Sequence, residues 1–219
     1  MARPKNPQRT THLLTATATV VQTRGIAGVT LRPLAAELGV SPRTLLYHFG
    51  SKEDLLTEAI RHLRHQQPSL ARALGDSPRS DQDAAAVLGE TIKSMWNDAK
   101  QAGSRPFLAL YFELATLTIR DPDQYGAMLR ELDQDWMDAI TAHLHHSGLR
   151  DADAHSLAQS LLLGYRGALH FGLVTGNWDA ADDAIGALIE DTLRRINGRS
   201  ERTDPAQPAP AMNETPAID

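Results

Sequence analysis

Apolar residues recur along this chain at intervals of three and four, and no stretch alternates apolar and polar at period two for long. That pattern predicts helices and no sheet. In residues 10–24, Leu13, Ala16, Val20 and Val21 form one stripe that Gly25 ends. Thr30 is placed to cap a short helix running through Leu38, with Gly39 as its stop. Pro33 is tolerable there, because a first-turn N–H has no partner to lose. Ser41-Pro42 opens a second short helix, and Ser51-Lys52-Glu53-Asp54 reads as a capping box with Asp in the closing position. The helix it opens carries Leu55, Leu56, Ala59, Ile60 and Leu63 on one face. Further helices are predicted over 81–102, 105–120, 122–147, 152–174 and 179–197, punctuated by Gly103, Asp121-Pro122, Ser147-Gly148 and Gly176-Asn177. Residues 66–80 contain Pro68, Gly75 and Pro78 and read as a joint. The segment 200–219 has four prolines and almost no apolar mass, and is expected to be a disordered tail.

Within this pattern residues 30–56 stand out. Two short helices meet at Gly39-Val40. Ala35, four residues earlier, is small enough for the second helix to cross closely, and Leu34, Leu38, Val40 and Leu45 fall where such a pair buries its contact. This is helix-turn-helix geometry, in which the second helix enters the major groove of duplex DNA. Charge points the same way. The net charge is -5. Residues 1–65, however, hold nine Lys/Arg against four Asp/Glu, a surplus of +5, while residues 66–219 hold 13 against 23, a deficit of −10. The first part can approach a polyanion and the remainder is repelled by one.

The stretch Leu34-Ala35 … Leu38-Gly39-Val40-Ser41 … Leu45 … Tyr47-His48-Phe49 … Ser51-Lys52 … Leu55 resembles the DNA-binding domain of the TetR (tetracycline repressor-like) family of bacterial transcriptional regulators. The likeness covers residues 10–63, about a quarter of the chain. It implies an all-α fold: an N-terminal three-helix helix-turn-helix DNA-binding domain (1–65) and a C-terminal helical ligand-binding and dimerisation domain (66–199). It also implies roles by position. Arg32 matches a basic position reaching phosphate or a base edge. Ser41, Pro42, Arg43 and Thr44 form the reading end of the second helix. Tyr47, His48 and Lys52 match backbone-contacting positions. Arg43 has the reach and the fork for guanine O6 and N7. Many members carry an aromatic where this chain has Leu46, so Leu46 is assigned either to a thymine methyl or to packing. Phe49 is read as a core plug.

A single helix-turn-helix makes few base contacts, and two copies held about 34–36 Å apart read a palindrome. A homodimer on double-stranded operator DNA is therefore expected. The candidate seam is Gly164, Ala168 and Gly172 at i, i+4 and i+8, faced by Ile185, Leu188 and Ile189; alternatively the glycines only ease packing inside one chain. Residues 106–119 are apolar nearly all round, with Glu113 the lone charge between Arg105 and Arg120. Arg166 is likewise isolated between Asp153 and Asp179, with His170 one turn on. An unpaired buried charge costs several kcal/mol, so each needs a polar partner. Either Glu113 pairs with Arg166 or a histidine, or these groups line a cavity for a small apolar effector together with Trp96, Phe107, Tyr111, Trp136 and Phe171.

Several classes are disfavoured. There is no cysteine, so no disulfide scaffold, thiolate nucleophile, Cys-ligated zinc or Fe–S cluster. GxSxG, Walker A, GxGxxG and HExxH are absent. His62/His65 and His143/His145/His146 have helical spacing but no carboxylate or thiol completes a metal set. No apolar run is long enough to span a membrane, and no secretory signal is evident. The expectation is a cytoplasmic, ligand-released repressor that binds no metal or cofactor and no membrane and catalyses no reaction. An activator with the same DNA module, or an all-helical enzyme using Glu113 with a histidine, are the alternatives.

Overall fold

The computed structural model describes residues 6–66 and 81–200. Among these there are nine α-helices, one 3-10 turn and no strand. The expected joint and the expected disordered tail lie, except for Gln66 and Ser200, outside the described residues.

Helices α1 (Pro7–Arg24), α2 (Leu31–Glu37), α3 (Pro42–Phe49) and α4 (Lys52–His65) come first. α1 begins three residues before the stretch 10–24 read from the apolar pattern, because the Asn6 side chain accepts from the backbone N–H groups of Gln8 and Arg9 and Pro7 takes the first turn. Thr30 precedes α2 in extended conformation but makes no side-chain cap. Ser41 does cap α3, accepting from the Thr44 N–H at 3.1 Å. The Ser51–Asp54 box closes both ways at the start of α4, 2.9 Å to the Asp54 N–H and 3.2 Å from the Ser51 N–H. Such a cap is worth about 1 kcal/mol. Leu13, Val21, Ile26, Leu34, Ala35, Leu45, Phe49, Leu55, Leu56, Ala59 and Ile60 are buried together. Phe49 is thus the plug its position suggested. α4 packs along α1 and is as much part of this core as the first three helices.

Helices α5 (Asp81–Ala99), α6 (Arg105–Arg120), α7 (Pro122–His146), α8 (Asp151–Thr175) and α9 (Trp178–Ser200) follow, with a 3-10 turn at Ala102–Ser104 ending α5 short of residue 102. α7 packs against α5, α6 and α8, and α9 covers α5 and α8. The small residues of α8 serve this packing. A Cβ at Gly164 would lie 2.8 Å from Leu188 Cδ2, and one at Gly172 would lie 2.7 Å from the Trp178 ring. Ile185 and Ile189 are buried, and Ala168 and Leu188 pack against the same core. The seam assigned to an interchain contact is therefore the α8–α9 contact within one chain. Two long helices lying side by side bury apolar stripes most closely where one side has no side chain, which is why the spacing suited both readings.

The two groups of helices meet through ionic and hydrogen-bonded contacts. The Glu113 carboxylate accepts the backbone N–H groups of Ile26 at 2.9 Å and Ala27 at 3.0 Å, just after α1. Gly25, with φ 77°, makes room for it: a Cβ there would sit 2.7 Å from Glu113 Oε2. Glu113 thus departs from both sequence expectations: its partners are these backbone groups and not Arg166 or a histidine, and it does not line the cavity between α5, α6, α7 and α8. It holds the turn after α1 to α6, because a carboxylate can satisfy two adjacent backbone donors that lie beyond the helix end. On α7, Glu131 takes Arg61, and Asp135 Oδ2 takes the Arg64 guanidinium at 2.5 Å. Replacing Glu113 with alanine is expected to loosen Ile26 and Ala27 specifically. Amide hydrogen exchange at those two positions should accelerate about tenfold, since an unmade bond of this kind costs about 1–3 kcal/mol. Glu113→Gln should recover part of the protection.

Candidate functional site

α3 lies on the surface of the first group, anchored on one side and open on the other. Leu45, His48 and Phe49 face inward. Arg43, Leu46 and Tyr47 are exposed, at i, i+3 and i+4 on one face. Leu46 is thus on the open face, not a packing residue. Ser41 is exposed at the helix start, where its hydroxyl also meets Thr44 Oγ1 at 2.9 Å; Pro42 and Thr44 are half-buried. Arg32 is exposed on α2, and Lys52 stands half-buried at the first turn of α4.

His48 departs from its expected place. It is 7% exposed, and Nδ1 meets Thr10 Oγ1 at 2.7 Å. It braces α3 against α1 and does not stand on the open face. The inward-facing side of α3 recurs every three to four residues, and position 48 follows Leu45 on it. The charge surplus of residues 1–65 also shrinks at this surface. Arg61 and Arg64 face α7, and Arg24 pairs with Glu37 at 2.8 Å. Arg9, Arg32, Arg43 and Lys52 remain toward solvent, fully or in part.

The second feature is a cavity of about 110 Å³ between α5, α6, α7 and α8. Leu88, Ile92, Met95, Leu108, Ile140 and Leu161 supply much of its apolar wall. Of the expected residues, Phe107, Tyr111, Trp136 and Arg166 line it. Trp96 does not: its indole N–H donates to Asp182 Oδ1 at 2.6 Å and its ring meets Tyr165 and Trp178 edge-on. Lys100 and that indole together hold the Asp182 carboxyl below the usual carboxylate range. His170 packs on the Phe112 ring, 5.0 Å between centroids, and Phe171 is exposed.

Arg166 has a partner that sequence reasoning missed. Its guanidinium donates to both Asp133 oxygens, at 2.6 and 3.0 Å, and Tyr111 Oη donates to Asp133 at 3.2 Å. Arg166 also lies over the Tyr111 ring, 5.1 Å from its centroid. Burial pushes the Tyr111 phenol above its ordinary value, against the lowering pull of Arg166, and burial does the same to Tyr165. The signal was present on α7: Asp133, Trp136, Ile140 and His143 recur at spacings of three, four and three, one helix face. His143 itself belongs to the cavity wall and not to a metal set. The neighbouring histidines go elsewhere, His145 toward the Leu149 carbonyl and His146 to the Ala142 carbonyl. No group of three or more His, Cys, Asp or Glu converges to hold a metal among the described residues. None of the described helices is long and apolar enough to cross a membrane.

The surface helix and its supports coincide with a known sequence family. The family described as bacterial regulatory proteins, tetR family, matches residues 13–59. Through these residues the chain is similar to the TetR family. A curated relative, the HTH-type transcriptional regulator BetI of Brucella anthropi, is 32% identical over 83 residues, 37% of this chain and 43% of that protein. The matched region thus spans less than half of that relative's length. The whole fold is also shared with solved structures. A Rhodococcus sp. protein described as a TetR-family transcriptional regulator superposes with TM-score 0.62 at 21% identity, covering 85% of this chain and 97% of its own. A Saccharomonospora viridis protein described as a transcriptional regulator, solved in complex with choline, superposes with TM-score 0.55 at 20% identity, covering 90% and 98%. At such identities the TetR-family likeness beyond residue 59 is one of fold.

Proposed function

We propose that this chain is a DNA-binding transcriptional regulator of the TetR family, a repressor that leaves its operator when a small molecule fills the cavity. The observation that carries this is the open face of α3: an arginine, a leucine and a tyrosine presented outward on a capped, firmly braced helix within a TetR-family domain. In this reading Arg43 bonds a base edge; Ser41, Pro42, Thr44 and Leu46 meet the groove; and Arg32, Tyr47 and Lys52 meet the backbone. His48 supports them from within. Residues 1–65 read DNA and residues 66–199 bind effector and pair with a second copy.

Support for pairing comes from α8. Leu163, Phe171 and Val174 are 65%, 44% and 70% exposed and lie on one face at i, i+8 and i+11. This strip, and not the glycines, is the proposed twofold contact, giving a C2 dimer on a palindromic operator. Leu163→Asp combined with Val174→Asp is expected to turn a dimer into a monomer by light scattering, with operator affinity falling at least tenfold.

Release follows from how the cavity is built. α6 contributes Phe107 and Tyr111 to the cavity and, two residues on, Glu113 to the turn after α1. α7 contributes Trp136 and His143 to the cavity and Asp135 to Arg64 of α4. A ligand that favours one separation of α6 and α7 therefore biases the placement of α3, and lowers DNA affinity by its preference for that state. That a relative in fold holds choline supports a small organic effector. The test is selection of genomic fragments by the purified chain, followed by affinity against salt. Enrichment of a discrete palindrome, with binding that weakens steeply as salt rises, is the expected result. Binding indifferent to salt and sequence overturns the proposal.

A further inference from the structure

We propose that His143 reads a hydrogen-bond donor on the effector, which is therefore a neutral, mainly apolar small molecule bearing an N–H or O–H group. The inference rests on the effector reading of the cavity and adds the chemistry of what fills it. His143 is 6% exposed and forms part of the cavity wall. Its Nδ1 lies 3.0 Å from the Ala139 carbonyl oxygen on its own helix. A carbonyl only accepts, so Nδ1 carries the proton. In the neutral ring Nε2, on the far edge, is then a pure acceptor. That atom is buried and has no hydrogen-bond partner among the described residues. A buried acceptor left unmade costs free energy, and a ligand that supplies a donor recovers it.

The other polar groups around the cavity do not ask for a charged ligand. Arg166 and Tyr111 both donate to Asp133, and Arg166 is neutralised by it. Ser104 Oγ donates to the Asp98 carbonyl at 2.7 Å. Arg166 already occupies the Tyr111 face that a ligand cation would use. A ligand anion would find the Arg166 charge already matched, and a ligand cation would find the Asp133 carboxylate already taken. Apart from the hydroxyl-bearing Thr91 and the polar groups of Trp136 and Tyr165, the remaining wall is aliphatic and aromatic and accepts a flat apolar body.

The test uses indole and benzofuran, two probes of the same shape that differ in the N–H donor, titrated calorimetrically into the full-length protein. Indole is expected to bind about tenfold more tightly, the discrimination one buried hydrogen bond confers. In protein with 15N-labelled histidine, indole and not benzofuran should shift the His143 Nε2 resonance toward its hydrogen-bonded position. His143→Phe keeps the ring and removes the acceptor, and should bind both probes within about twofold of each other. The resonance measurement on the unaltered protein stands even if that variant folds poorly. Equal binding of the two probes to the unaltered protein, or a preference that survives His143→Phe, overturns the inference and leaves the cavity reading intact. Failure of both probes to bind overturns the cavity reading with it.

Discussion

Arg43→Ala is expected to lower affinity for the selected operator by about tenfold to a hundredfold and to relax the preference for one base pair in each half-site. The magnitude is that of a bidentate arginine–guanine contact, about 1–3 kcal/mol. Arg43 is exposed in the first turn of α3, where a side chain reaches furthest into a groove. Lys52→Ala should behave differently. It stands at the N-terminus of α4, off the reading face, and its loss should weaken all duplexes alike while flattening the salt dependence by about one phosphate contact. Fluorescence anisotropy on the selected duplex and on single-base variants, at several salt concentrations, separates the two. Equal loss on every duplex for Arg43→Ala would remove that residue from base recognition.

Asp135→Ala should destabilise the fold by about 3 kcal/mol, because it strands Arg64. Arg64 is 1% exposed; beyond Asp135 its guanidinium has the Leu132 carbonyl at 3.4 Å, and its Nε has no partner among the described residues. For a chain of this length the melting temperature should fall by about 6–12 °C. Adding Arg64→Met should restore most of that loss, since an apolar side chain of similar length needs no counter-charge. A melting temperature unchanged in Asp135→Ala would mean that Arg64 finds another acceptor. Because the pair ties α4 to α7, the double variant should also respond less to a cavity ligand in DNA binding, even where its stability is recovered.

The sequence by itself determined the all-helical architecture, most helix limits and the place of the short capped helix α3. These depend on local chemistry: the Ser41 and Ser51 caps, Pro42 in a first turn, Gly25 and Gly39 at positive φ, and apolar residues at helical spacing. Each signal involves residues a few positions apart, so no knowledge of the fold is needed to read it. Which side of a helix meets which neighbour is another matter. Glu113 and Arg166 both appeared as isolated charges needing partners, and both have them, but the partners are backbone groups 86 and 87 residues away and Asp133, 33 residues away. Gly164 and Gly172 advertised a close helix contact without saying with what, and the tertiary structure gives it to α9 of the same chain. His48 and His143 show the same division: their helical positions were legible, yet burial turned one into a brace for α3 and left the other with an unmet acceptor in a cavity wall. Pairing of charges and small-residue contacts is decided by how the helices are laid together, because Coulomb and packing energies depend on distance in space and a single sequence records only distance along the chain.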